Sequence, residues 1–127
     1  SREWIYVDDH CSGLFFIYRK GKIGESYNIG TNNNVNNLNL TKILLKIVKN
    51  NNFKIEKKVK IKFVKDRPGH DFRYALNSKK IRKELNWRPK MNFESGLKET
   101  FNWYLNNFEF FNSFSKTKFF KRIGLIK

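Results

Sequence analysis

Cysteine is nearly missing from this 127-residue chain, and Cys11 stands alone. One cysteine excludes an internal disulfide and a structural zinc site built on several thiolates, and it fits a reducing, cytoplasmic setting. On its helical pattern Cys11 reads as a small core residue before a nucleophile. Histidine is almost as scarce: His10 and His70 are the two, far apart along the chain. Neither has an obvious serine or cysteine partner, so a self-contained hydrolase or metalloenzyme is not expected. No apolar run approaches the roughly 18 residues of a membrane span and no secretory leader is visible, so no membrane partner is expected. Glycine-rich fingerprints are missing too. There is no strand-to-helix dinucleotide signature, no P-loop and no Gly-x-Ser-x-Gly elbow. The first residue is Ser1 and not methionine, from which a piece of something longer is expected.

Acidic residues number 11 against 27 basic ones, a formal charge of +16. Such an excess ordinarily raises nucleic acid as a partner, and a small basic nucleic-acid-binding protein is the alternative reading from a different class. The lysines are scattered, as in Lys57-Lys58 and Lys79-Lys80, and form no continuous stripe. Lysine, asparagine and isoleucine share A/T-rich codons, so base composition is a sufficient cause for much of the excess. A nucleic-acid partner is therefore not expected. What the chain does have is apolar material, 39% of its residues with 13 phenylalanines, enough for the core of one ordinary domain or a large piece of one.

Periodicity outlines the elements. Trp4-Ile5-Tyr6-Val7 reads as a short strand, with Asp9 as N-cap of a helix whose face is Leu14, Phe15, Ile17 and Tyr18 and which stops near Gly21. Glu25 to Gly30 reads as a second strand. A loop from Thr31 to Asn37 leads to a helix with Leu40, Ile43, Leu44, Ile47 and Val48 on one side. Val59, Ile61 and Phe63 alternate with lysines, the pattern of a half-buried strand over 59–64. Asn77 or Ser78 caps a short helix through Leu85, which Trp87-Arg88-Pro89 ends. A last helix runs from about Phe93 to Asn107, burying Leu97, Phe101, Tyr104 and Leu105. Residues 108–127 read as an extended aromatic and basic tail. Trp87 and Trp103 read as core. No repeat and no interdomain linker is visible.

The densest chemistry is Asp66-Arg67-Pro68-Gly69-His70-Asp71-Phe72-Arg73-Tyr74-Ala75. Pro68 restricts Arg67 to extended backbone, and Gly69 permits a turn and close approach by a ligand. A rigid corner projecting Arg67 and His70 to one side suits a phosphate, for which arginine offers a planar fork of donors. A surface turn laced with salt bridges explains the same spacing, and spacing alone leaves both readings open.

Four blocks, taken in order, give the chain a family resemblance: Arg2 to His10, Gly24 to Gly30, Asp66 to Ala75, and Leu85-Asn86-Trp87-Arg88-Pro89 followed by Phe93 to Leu97. Together they resemble the C-terminal part of the nucleotide-sugar dehydratases of the extended short-chain dehydrogenase/reductase family, the dTDP-glucose 4,6-dehydratases above all. Another dehydratase, epimerase or decarboxylase of that superfamily is the near alternative. The resemblance covers about Arg2 to Asn107 and, more loosely, the tail through Arg122 to Leu125. It implies an α/β fold class, the C-terminal substrate-binding portion of an extended short-chain dehydrogenase (Rossmann-type) fold with mixed short strands and about four helices. Residues 1–107 would form that region and 108–127 the tail, while the NAD-binding Rossmann domain and its Tyr-x-x-x-Lys pair would lie outside this chain.

The family's reaction oxidises the sugar at C4 by hydride transfer to NAD, eliminates water across C5 and C6, and returns the hydride to C6. By resemblance this chain supplies substrate grip and no catalytic residue. The implied partners are dTDP-glucose or a related nucleotide sugar and, for the complete enzyme, a second copy in a homodimer. Arg2 matches an arginine that reaches the substrate phosphates. Asn37 matches a substrate-contacting asparagine, with a plain helix N-cap as its structural reading. Asp66, Arg67, Pro68, Gly69 and His70 match the nucleotide-binding corner, where Arg67 and His70 would touch the ligand and Asp66 would hold Arg67. Asp9 and His10 are expected to act in capping and packing. The family's tail tyrosine has no counterpart at Phe119-Phe120, so no tail contact is carried over.

Overall fold

The computed structural model describes residues 1–51, 59–66 and 68–112. In chain order they form β1 (Arg2–Glu3), α1 (Val7–Lys20), β2 (Asn34–Val35), α2 (Asn37–Asn50), α3 (Lys79–Leu85), α4 (Phe93–Asn106) and α5 (Phe108–Asn112). Each longer helix carries its own start signal. Asn36 accepts the Asn39 N–H at 2.8 Å to cap α2, and Asn92 accepts the Ser95 N–H at 2.9 Å to cap α4, each satisfying a donor the helix cannot. α1 starts without a side-chain cap but places Asp8 and Asp9 in its first turn and Arg19 and Lys20 in its last, matching its dipole. α3 ends where Asn86 turns left-handed at φ 53°, a conformation that asparagine tolerates better than most residues.

The core is small. Ile29, Ile81, Leu85 and Trp87 are buried, and Ile5, Phe16, Ile17 and Tyr27 pack around them. α1 rests on α3, and α2 on α4. Gly13 lets α1 approach Ile29 and Trp87 closely: a Cβ there would stand 3.0 Å from Ile29 Cγ2 and 3.2 Å from Trp87 Cζ2. Trp87 also donates its indole N–H to Ser12 Oγ at 3.2 Å, so the polar edge of the buried ring is satisfied. The expected core role of Trp87 holds.

β1 pairs antiparallel with β2, Arg2 opposite Val35 and Glu3 opposite Asn34. On its other edge a parallel bridge joins Arg2 to Tyr74, where the Tyr74 N–H donates to Ser1 O at 3.0 Å. β1 therefore sits between the loop before α2 and the segment after the Pro-Gly corner.

Several expectations need correction. The strand lies at Arg2–Glu3, not Trp4–Val7, because α1 already begins at Val7. Glu25–Gly30 keeps its in-out alternation, with Tyr27 and Ile29 inward and Ser26 and Asn28 exposed, but it pairs with no strand among the described residues. A strand is defined by its ladder, and alternation alone does not supply a neighbour. For the same reason 59–64 is not a strand, and Val59, Ile61 and Phe63 are exposed. Asp9 does not cap α1; it is buried within the helix, and Tyr6 holds the N-cap position. Cys11 is exposed, not core. Trp103, Tyr104 and Leu105 of α4 are also partly exposed, not core. Phe108–Asn112 is helical, not extended, and the rest of the tail lies outside the described residues.

Candidate anion-binding site

The corner at 66–70 is built by its own residues. Pro68 and Gly69 form an exposed turn in which Gly69 adopts φ +68°, with open space where a Cβ would be. That positive φ is what only glycine adopts without strain. The turn brings Asp66 and His70 together, and His70 Nδ1 lies 2.8 Å from Asp66 Oδ1. His70 then reaches across the sequence to β1, where its Nε2 lies 2.7 Å from Arg2 Nη2. Arg2 Nη1 donates to Ser1 O at 2.8 Å, which pins the guanidinium at the strand's end.

The chemistry of the three groups fixes the protons. A guanidinium can only donate, so His70 Nε2 is the acceptor; Nδ1 then carries the proton and donates to Asp66. Asp66 orients His70, and His70 orients Arg2. Arg2 keeps further N–H groups for an incoming anion, held in a planar fork that suits a phosphate's paired oxygens. His70 has both ring nitrogens engaged. Its side chain is 27% exposed against 70% for Asp66, so the bond nearer Arg2 is the better shielded from water.

Of the residues expected at a site, the fold brings Arg2, His70 and Asp66 into one bonded chain. Asp66 bonds His70, a contact that was not expected, and the expected contact with Arg67 falls on a residue outside the described ones. Asn37 is the exposed first residue of α2, not its cap, a role that Asn36 takes. Asn37 follows closely on Val35, the partner of Arg2 in β2, so its helix starts beside the strand that carries Arg2. Sequence reasoning missed Glu3. Its carboxylate accepts the Asn32 N–H at 2.7 Å and the Leu76 N–H at 2.9 Å. Strand alternation would have found it, since a carboxylate next to an outward arginine must face the other way, into the chain.

A cleft of about 550 Å³ lies elsewhere, lined by Trp4, Tyr6, Leu40, Leu44, Met91 and Leu97 among others. Neither Arg2, Asn37 nor the described corner residues line it, and it offers no charged side chain. Size favours the cleft, but anion chemistry belongs to the corner. Among the described residues no group of three or more His, Cys, Asp or Glu could hold a metal. These residues do not fit NAD either. No glycine-rich turn feeds a helix, and the first turns of α1 and α4 carry Asp8, Asp9 and Glu94, charges that oppose a pyrophosphate at a helix N-terminus.

Residues 1–100 match the family described as GDP-mannose 4,6 dehydratase. The chain belongs to this family. Among individual relatives, dTDP-glucose 4,6-dehydratase from Haemophilus influenzae is 42% identical over 112 residues, covering 84% of this chain and 33% of that protein. The crystal structure of dTDP-glucose 4,6-dehydratase from Bacillus anthracis in complex with NAD is similar with a TM-score of 0.72 and 41% identity, over 84% of this chain and 32% of that one. That of the Streptomyces venezuelae dTDP-glucose 4,6-dehydratase, also with NAD bound, gives 0.70 and 39%, over 85% and 32%. The family resemblance and the fold class, a portion of an extended short-chain dehydrogenase of Rossmann type, are borne out. The chain spans about a third of the length of the curated relatives it matches.

Proposed function

We propose that this chain is the substrate-gripping C-terminal portion of a dTDP-glucose 4,6-dehydratase, and that Arg2, oriented by His70 and Asp66, holds the diphosphate of the sugar nucleotide. The observation that carries this reading is the bonded chain Asp66–His70–Arg2, an ordered guanidinium with free donors at the corner matched to the family's nucleotide-binding segment. Arg67, next to the corner's proline, supplies a second cation, and Asn37 at the start of α2 a polar contact. The complete enzyme converts dTDP-glucose to the 4-keto-6-deoxy sugar nucleotide. NAD, bound by the part of the protein beyond this chain, supplies hydride exchange. This chain's residues bind and orient: energy from the remote diphosphate fixes the sugar for chemistry carried out elsewhere. The complete enzyme works as a cytoplasmic homodimer, and the lone thiol of this chain fits a reducing compartment.

Titration calorimetry with dTDP tests the reading. One charge-assisted bond to phosphate contributes about 1.5–3 kcal/mol, so Arg2→Ala should weaken dTDP roughly ten- to 150-fold. Arg2→Lys should recover little, since the ammonium lacks the fork. Equal affinity in wild type and Arg2→Ala would overturn the assignment. Parallel titrations with UDP and GDP separate a dTDP-sugar enzyme from other members of the superfamily.

A further inference from the structure

Three separate segments must meet for the anion corner to exist: β1 with Arg2, the loop 31–36 that launches α2, and the segment 70–76 that carries His70. One side chain touches all three. Glu3 lies on β1 and faces away from Arg2. Its Oε1 accepts the Asn32 N–H at 2.7 Å and its Oε2 accepts the Leu76 N–H at 2.9 Å. Each oxygen thus serves a different segment, and both bonds are charge-assisted. The Asn32 end is held firmly. Asn32 sits in the left-handed region at φ 61°, and its side-chain oxygen accepts from Ser78 Oγ at 2.9 Å, with Ser78 fully buried. Gly30 leaves the carboxylate its place, since a Cβ there would collide with Glu3 Oε1.

We propose that Glu3 is the positioning residue of the anion corner, fixing the register that puts Arg2 Nη2 on His70 Nε2; this rests on the proposed role of Arg2 in gripping the diphosphate. Arg2 and Glu3 are adjacent and on opposite sides of β1, so a shift of the 74–76 segment along β1 moves His70 relative to Arg2. Backbone pairing on this edge is one bridge, Arg2 with Tyr74, and on its N-terminal side the Ser1 amine donates to Phe72 O at 2.7 Å. Beyond Tyr74 the carboxylate supplies the anchor, on the Leu76 N–H. Its two-acceptor chemistry also predicts a graded series. Glutamine keeps one carbonyl oxygen and turns an NH2 group on the other N–H, losing one anchor, and alanine loses both.

The test uses wild type, Glu3→Gln, Glu3→Ala and, as a core control away from the corner, Ile81→Val. Three quantities are read: dTDP affinity by calorimetry, the ring ¹⁵N signals of His70 by NMR, and Tm. In wild type the His70 signals should report the Nδ1–H tautomer. Glu3→Gln and Glu3→Ala should weaken dTDP by about tenfold or more, the loss expected when one charge-assisted contact goes out of place, and should move the His70 signals off that pattern. Ile81→Val should lower Tm while leaving both unchanged. Glu3 variants with wild-type affinity and wild-type His70 signals would overturn the proposal, whatever their Tm. If Glu3→Ala does not fold, Glu3→Gln decides. If wild type itself binds no dTDP, the reading of Arg2 as a phosphate ligand fails, and the ligand-free His70 spectrum still decides the role of Glu3.

Discussion

Asp9 offers a sharp energetic test of this structure. It is 7% exposed and lies within α1, yet its bonds go to a distant segment: Oδ1 accepts the Lys90 N–H at 3.0 Å and Oδ2 the Met91 N–H at 2.8 Å. Those two amides follow Pro89, which has no N–H of its own, and they precede the Asn92 cap of α4. Asp9 thus ties the first turn of α1 to the turn that starts α4. Asp9→Ala strands both part-buried N–H groups. At about 1–3 kcal/mol for each unsatisfied donor, the loss is roughly 2–6 kcal/mol, a large share of a domain's typical 5–15. Asp9→Asn keeps one acceptor and sets an NH2 group against the other amide, costing about 1–3 kcal/mol. Urea unfolding monitored by tryptophan fluorescence reads the difference. With a slope of about 1.5 kcal/mol/M, Asp9→Ala should lower the midpoint by about 1.3–4 M at unchanged slope, and Asp9→Asn by about half of that. A simple helix-dipole role would cost only about 0.3–1 kcal/mol, and equally in both variants. Equal, small losses would therefore refute the bridging role.

Gly13→Ala pits helix propensity against packing. Alanine gains up to about 1 kcal/mol in a helix, but its Cβ meets Ile29 and Trp87 at 3.0–3.2 Å, and overpacking of that kind costs about 1–3 kcal/mol. A lower Tm is expected, and a higher one would mean that Ile29 repacks freely. At the surface, Lys80 Nζ sits 2.5 Å from Glu25 Oε2. The hydrogen bond to Lys80 lowers the Glu25 pKa, and the bond to Glu25 raises that of Lys80. The pair's contribution is therefore complete at neutral pH. It is lost as pH falls through the lowered Glu25 value and again as pH rises through the raised Lys80 value. A double-mutant cycle with Glu25→Gln and Lys80→Met should give a coupling at neutral pH that disappears at both extremes and shrinks in high salt. A coupling that persists in acid would contradict the pairing.

Much of this was legible in the chain. The face of α2, the short helix ending before Trp87 and the burial of Trp87 follow from periodicity and from Pro89, both local signals. The expected face of α1 is corrected: Leu14, Phe15 and Tyr18 are exposed, and Gly13, Phe16 and Ile17 turn inward. The α2 cap was misplaced by one residue because a run of asparagines offers several equivalent caps, and only backbone geometry selects Asn36. Trp103, Tyr104 and Leu105 carry the hydrophobicity of core residues, but helix period cannot say how much of each the tertiary packing leaves exposed. At 59–64 the alternation was real and the ladder was not, because hydrogen-bonded pairing depends on a neighbour that composition does not reveal.

By itself the sequence determined the family, the helical segments and the chemical character of the corner, because local backbone preferences and side-chain inventory are written residue by residue. The tertiary structure decided who touches whom. Asp66 holds His70, His70 orients Arg2 from 68 positions away, Glu3 bridges two loops, and Asp9 serves amides 81 and 82 residues downstream. Such bonds need donors and acceptors within about 3 Å, and only the closing of the chain on itself sets that distance.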